Sequence, residues 1–322
     1  MIITKTPFRV SFAGGGTDIK DYYCRNGGAV VSACINRYMY ITVNPKFDNK
    51  LRLSYSETEI VDDAKELNHE IAKVCLRLAG IKGGIEITSI ADVPAGTGLG
   101  SSSTFTVGLL NALFTYTGAI LSPAELAARA CQVEIDILGH PIGKQDQYAA
   151  AFGGMNYFAF NPDETVERRK IVLDENNMRR MSRKLMFLYT GLTHQADNIL
   201  AEQKANTASK MDTLDYMKHQ ADEMYTMLTT QGFTDDFGLM LHYGWMQKQK
   251  LASKITDSQI SEYYEKALKA GAVGGKLLGA GGGGFLLLYC DEWKQQLVQD
   301  ELGLRRLDFR FTQNGTRVIF SN

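Results

Sequence analysis

The stretch Pro94-Ala95-Gly96-Thr97-Gly98-Leu99-Gly100-Ser101-Ser102-Ser103 carries the residue types of a phosphate cradle. Glycines at 96, 98 and 100 lack the Cβ that would hold an anion away from bare backbone N–H groups. The apolar run that begins at Phe105 reads as a helix, and its N-terminus adds partial positive charge at the same point. A serine in that first turn can cap the helix or reach a metal ion. The same residues also suit a glycine turn leading into a serine-capped helix, so the loop alone leaves both readings open. It is not a P-loop, because Leu99-Gly100 stands where a lysine is required. It is not a dinucleotide site either, because the chain continues into another helix and not into a strand ending in an acidic residue. A second chemically notable residue is Glu134, on the row Leu126, Ala130, Glu134, Leu138 of a helix opened by Ser122-Pro123-Ala124-Glu125. A carboxylate on an apolar row needs a cation or hydrogen-bond donors to stay charged.

The elements that must position these residues follow from periodicity. Phe8, Val10 and Phe12 alternate with Arg9 and Ser11, the pattern of a half-buried strand. That strand ends at a second glycine corner, Ala13-Gly14-Gly15-Gly16-Thr17-Asp18, which leads into a short helix over 19–25. Strands are expected over 29–35, 38–43, 51–55 and 84–90, with a helix over 69–78. After Glu134 the run Gly139-His140-Pro141-Ile142-Gly143 breaks the helix, and Lys144-Gln145-Asp146-Gln147-Tyr148 begins a short one. Strands over 155–160 and 167–173 complete a first lobe, with a boundary in the polar stretch 176–182, giving units of 1–178 and 179–322. The second unit reads as a strand over 185–189, helices over 197–230, 237–255 and 258–270, and strands over 284–290, 307–311 and 317–320. Asn314-Gly315 predicts a hairpin between the last two. Gly279 to Gly284 match G-x-G-x-x-G but lead into a strand, so close backbone approach to another loop or to a ligand explains them better than a dinucleotide.

At 322 residues, with 44% hydrophobic and 22% charged residues, the chain is long enough for two packed lobes with a cleft between them. Its 35 basic and 36 acidic residues leave a net charge of -1, so there is no global electrostatic case for nucleic acid or a membrane surface. Acidic neighbours dilute the basic cluster from Arg168 to Lys184. Five widely spaced cysteines, an odd number, read as buried thiols of a reducing compartment. Met1 to Pro7 enter a strand without the order of a signal peptide, and no apolar run reaches membrane-spanning length, so a cytoplasmic protein is expected.

Three glycine-rich corners in a fixed order resemble the three motifs of the GHMP kinases, the superfamily of galactokinase, homoserine kinase, mevalonate kinase and phosphomevalonate kinase. They are Pro7-Phe8-Arg9-Val10 through Gly14-Gly15-Gly16-Thr17-Asp18, then Pro94 to Ser103, then Lys276-Leu277-Leu278-Gly279-Ala280-Gly281-Gly282-Gly283-Gly284. The resemblance implies an α+β fold of two lobes, the first like domain 2 of ribosomal protein S5 and the second ferredoxin-like. ATP and substrate would lie between them. It also implies roles. Pro94, Gly96, Gly98, Leu99, Gly100, Ser101, Ser102 and Ser103 would hold the ATP phosphates, and Ser102 and Glu134 would supply oxygen ligands to a hydrated Mg²⁺. Asp146 would accept the proton of a sugar hydroxyl, and Arg9 would hold Asp146 charged or stabilise the transferring phosphoryl group.

The acceptor is implied by the same comparison. Galactokinases carry Gly-Glu-His-Thr-Asp in the first motif, and this chain lacks the Glu-His pair. The run Gly14 to Asp18, Gly143 to Gly154 and Tyr189-Thr190-Gly191-Leu192-Thr193 together look most like the D-glycero-D-manno-heptose 7-phosphate kinases, which phosphorylate the anomeric hydroxyl on the way to nucleotide-activated heptose for surface glycans. Gly15, Gly16, Thr17 and Asp18 would then face the sugar, with Asp18 accepting from a hydroxyl. A phosphorylated acceptor calls for a cation, for which Lys144 is chosen over Arg25, Arg37 and Lys5 because it lies two residues before Asp146. The other readings are an anomeric kinase of fucose, galactose or unphosphorylated heptose, and a non-catalytic sugar and ATP sensor. The expected partners are therefore a small sugar phosphate and ATP, with no nucleic acid and no membrane; a homodimer is allowed but nothing requires it.

Overall fold

The computed structural model describes residues 1–192 and 196–322; Thr193 of the motif quoted above lies outside them. The chain opens with β1 (Ile2–Ala13), α1 (Lys20–Asn26), β2 (Gly28–Pro45), β3 (Leu51–Ser54), β4 (Thr58–Val61), α2 (Glu70–Leu78) and β5 (Ile85–Ala91). Helices α3 (Ser101–Tyr116), α4 (Pro123–Cys131) and α5 (Gln145–Phe152) follow, then β6 (Met155–Phe160), β7 (Val166–Ile171), α6 (Glu175–Lys184) and β8 (Leu185–Tyr189). The remainder is α7 (Ala196–Asn206), α8 (Met211–Thr230), α9 (Asp236–Lys248), α10 (Ser258–Lys269), β9 (Gly274–Leu277), β10 (Phe285–Tyr289), α11 (Glu292–Leu302), β11 (Arg305–Arg306) and β12 (Arg317–Ser321).

The strands form two sheets among the described residues. In the first, β12-β1-β2-β5-β3-β4 run side by side, and the long β2 splits its partners: its later half pairs with β5 and its first half with β6, which carries β7. In the second, the order is β11-β8-β10-β9, all antiparallel. Helix α3 lies across β1 so closely that a Cβ on Gly108 would come 2.7 Å from Thr6 Oγ1. This α+β arrangement agrees with the sequence reading. Position 178/179 falls within α6, and β12 returns from the far end of the chain to pair with β1, Ile2 opposite Ser321.

Two local expectations fail. Residues over 307–311 and 317–320 do not form a hairpin: β12 belongs to the first sheet, whereas the stretch before it meets that sheet through one bridge, Ile35 to Phe311. Gly315 serves a close approach instead, since a Cβ there would sit 2.1 Å from the Ala151 carbonyl oxygen. The β1 strand is also not half-buried. Arg9 and Ser11 are 4% and 6% exposed because their face is the floor of the cleft. Four of the five cysteines are buried and all five are free. No helix among the described residues is long and apolar enough to cross a membrane.

Candidate active site

Strand β1 delivers Arg9 into the cleft. A β-bulge shifts the β1–β2 register between Pro7 and Arg9, a device that re-aims a side chain without ending the strand. Its guanidinium grips Asp146 at both oxygens, Nε to Oδ1 at 2.6 Å and Nη2 to Oδ2 at 2.7 Å. Nη1 donates to the Gly98 carbonyl at 2.7 Å, and the Arg9 backbone N–H to that of Leu99 at 3.2 Å. One side chain thus fixes the strand, the glycine loop and the first turn of α5 relative to one another. The bidentate geometry makes this a strong, directional contact.

The loop itself runs through left-handed backbone at Gly96, Gly98 and Gly100, with φ of 72°, 81° and 77°. Gly100 is the N-cap of α3 and offers no side-chain cap. The first N–H groups of α3 are therefore available to an anion. Ser102 Oγ donates to Glu134 Oε1 at 2.6 Å, and Gln147 Nε2 donates to Oε2 at 2.8 Å. Glu134 is wholly buried, and burial raises its carboxyl above the ordinary range against the pull of those donors. It sits on a π-helical turn, residues 132–137, that continues α4. Such turns recur at functional positions because the extra residue redirects side chains.

The third glycine corner docks on the loop. A Cβ on Gly98 would lie 2.3 Å from the Leu278 carbonyl oxygen, one on Gly279 2.3 Å from Gly98 Cα, and one on Gly284 2.4 Å from the Thr97 carbonyl oxygen. The approach to another loop expected from the sequence is therefore what holds β9 and β10 against the cradle. Gly98→Ala should cost on the order of 3 kcal/mol in denaturant unfolding, combining backbone strain with overpacking. A loss below about 0.5 kcal/mol would mean that the two loops separate freely.

Two cavities meet at Arg9 and Asp146. The first is lined by Gly96, Gly98, Gly100 and Ser101 to Ser103. Pro94 is absent from its lining and Leu99 turns its side chain, 0% exposed, into the core. The second is lined by Ser11, Gly15, Gly16, Asp18 and Gln145. Asp18 is held by Gly16 N–H at 2.9 Å, Gln145 N–H at 3.1 Å and Gln145 Nε2 at 3.2 Å, and burial raises its carboxyl. Thr17 does not reach the cavity; its hydroxyl bonds the Gly14 and Ala29 carbonyls and joins the corner to β2. Lys144 is also not brought to the cleft. Its ammonium lies 3.7 Å from a Glu164 carboxylate oxygen and 4.8 Å from the Tyr23 ring centre. Lys5 lies over the Tyr38 ring and Arg37 bonds the Asp308 carbonyl.

Comparison with known proteins fits this geometry. The pattern of the GHMP kinases N terminal domain matches residues 54–154, and that of the GHMP kinases C terminal matches residues 228–305, together more than half of the chain. The chain belongs to the GHMP kinases. Among its relatives, the D-glycero-alpha-D-manno-heptose 7-phosphate kinase of Campylobacter jejuni is 29% identical, with 98% of each chain covered. The galactokinase of Pyrococcus furiosus is 23% identical over 94% of this chain and 92% of its own. A D-glycero-D-manno-heptose 1-phosphate kinase from Bacteroides thetaiotaomicron has the same fold, with a TM-score of 0.82 at 24% identity and 100% of both chains covered. This protein is thus a GHMP sugar kinase, a phosphotransferase.

The GHMP cleft holds cations that the sequence reading missed. Lys248 and Lys276, 6% and 5% exposed, line the second cavity. A signal for Lys248 was present, since it continues the buried row Phe237, Leu241, Trp245 on α9. For Mg²⁺, usual in this family, the residues present fit. Ser102 and Glu134 are hard oxygen donors, Glu134 has no cation beside it among the described residues, and buried Gln147 Oε1 has no hydrogen-bond partner. One carboxylate with a hydroxyl suits an ion that keeps most of its water.

Proposed function

We propose that the protein transfers the γ-phosphoryl group of ATP to the anomeric hydroxyl of a heptose phosphate, D-glycero-D-manno-heptose 7-phosphate, giving the 1,7-bisphosphate. The observation that carries the reading is the Arg9–Asp146 pair at the junction of the two cavities, with the glycine cradle on one side and the Asp18 corner on the other. On this reading the backbone of Gly96 to Ser103 holds the ATP phosphates, with the bulk of the two-lobed chain divided near 178/179. Asp146 accepts the proton as the sugar oxygen forms its bond to the γ-phosphorus and the bond to the leaving ADP breaks. Arg9 orients Asp146 and lies where charge develops on the transferred group. Ser102 and Glu134 would hold Mg²⁺, which supplies charge neutralisation at the phosphates. Asp18, with Gly15 and Gly16, faces the sugar.

The relatives support a phosphorylated heptose, although their names differ on which carbon already carries the phosphate. ATP-coupled turnover on heptose 7-phosphate, heptose 1-phosphate, unphosphorylated heptose, fucose and galactose tests the assignment, with phosphorus NMR of the product fixing the position. The expected result is preference for heptose 7-phosphate and a new phosphate at C1. Equal rates with phosphorylated and unphosphorylated heptose, or phosphorylation at another carbon, would overturn it.

A further inference from the structure

The second cavity holds two buried lysines whose partners are backbone carbonyls. Lys248 Nζ donates to the Gly279 carbonyl and Lys276 Nζ to the Phe12 carbonyl at 3.2 Å. Among the described residues neither ammonium forms an ion pair, although each is more than nine-tenths buried. Buried ammonium groups are ordinarily paired with a carboxylate, because a lone carbonyl offsets little of the desolvation cost. Ser11 Oγ on the same wall is buried with no hydrogen-bond partner among the described residues. Two lysine amino groups, both pushed down by burial, and a hydroxyl thus converge on one space. Asp146 at its mouth is already committed to Arg9 at both oxygens.

The missing partner is an anion, and its position relative to the reaction distinguishes donor from acceptor. Neither lysine lines the cavity of the glycine cradle, where the nucleotide phosphates belong; both line the cavity beyond Arg9 and Asp146. We infer that Lys248 and Lys276, with the Ser11 hydroxyl, seat the acceptor's own phosphate group, and so select a sugar phosphate over a free sugar. This rests on the proposed phosphorylated acceptor. A sugar anchored at that end presents its other end to Asp146. Gln145 Oε1, also buried and without a partner among the described residues, remains to accept from a sugar hydroxyl.

Burial pushes Lys248 down to about 8. The charged groups facing it are Arg9 on β1, Asp18 in the first corner, Asp146 on α5 and Lys276 on β9. A bound phosphate dianion favours the protonated amine. The KM of wild type for the phosphorylated acceptor should therefore rise as pH passes upward through about 8, and Lys248→Met should remove that inflection.

The test uses the full chain with Lys248→Met and Lys276→Met, and Lys248→Arg as the charge-keeping variant; a thioether of similar length keeps the packing and removes one hydrogen bond to a backbone carbonyl, and thermal melts check that each variant is folded. Each Met variant should raise KM for heptose 7-phosphate by roughly 10- to 100-fold, while KM for ATP and for unphosphorylated heptose stays within about twofold. Inorganic phosphate should compete with the acceptor, not with ATP, in wild type and in Lys248→Arg, and lose that competition in the Met variants. Loss falling on ATP, or equally on both sugars, would overturn the inference. If wild type turns over heptose 7-phosphate and phosphate competition survives both Met variants, the seat is wrong and the acceptor stands. If phosphate competes through the lysines yet only free sugar is turned over, the seat stands and the acceptor falls.

Discussion

Replacing Asp146 with asparagine should lower kcat by about 10²–10⁴-fold, the range for loss of a positioned general base, with the affinity for ATP unchanged. The two effects separate because of where Asp146 sits. Its side chain is 23% exposed at the junction of the cavities, within reach of an acceptor hydroxyl, while the backbone of the cradle makes no use of it. Asparagine is nearly isosteric, yet it turns one N–H₂ toward a guanidinium that only donates. Arg9, buried, then loses half of its fork and keeps Gly98 as an acceptor. A stability loss of about 1–3 kcal/mol is expected beside the kinetic loss, the cost of leaving a buried donor unpaired. Calorimetric titration with a non-hydrolysable ATP analogue, coupled turnover and denaturant unfolding read the three quantities independently. Turnover within tenfold of wild type would mean that the base is another residue.

What could be read from the sequence was whatever depends on local chemistry. The cradle announced itself because alternating glycines before an apolar helix have few other uses. Glu134 was visible as a charge on a helical row, even though the row turned out to continue through a π-helical turn, which leaves no mark on periodicity. The same argument applied to Trp245 and Lys248 would have found Lys248, so that residue was legible but unread. Lys276 was not legible as a site residue, because its environment comes from Phe12, 264 positions away. Lys144 failed for a related reason. Proximity in sequence to Asp146 says nothing about direction, and at the N-cap of α5 its side chain runs to Glu164 instead of the cleft. Asn314-Gly315 carried a hairpin signal, but packing against Ala151 decided the backbone there.

Glu134→Gln should leave a protein at least as stable as wild type and lower kcat by roughly 10²–10³-fold, as for loss of one preorganised electrostatic contact. Glu134 is 0% exposed and no cation stands beside it among the described residues, so the wild-type fold bears a buried charge offset only by the neutral donors Ser102, Ser103 and Gln147. The neutral amide removes that cost, against the loss of the acceptor that Gln147 Nε2 uses in wild type. Ser102 can donate to the new carbonyl, and once the Gln147 amide turns over, the new N–H₂ can donate to Gln147 Oε1, which lacks a partner among the described residues of wild type. If Glu134 is kept for a divalent cation, the order of stabilities must cross when the ligand is added. Mg²⁺ with ATP at 100 times its dissociation constant should stabilise wild type by about 2.7 kcal/mol, and the variant by much less. Thermal melts of both proteins, with and without Mg²⁺–ATP, make the comparison. A variant that melts below wild type without ligand, and gains equally from it, would show that Glu134 holds α3 to α5 and has no part in binding metal.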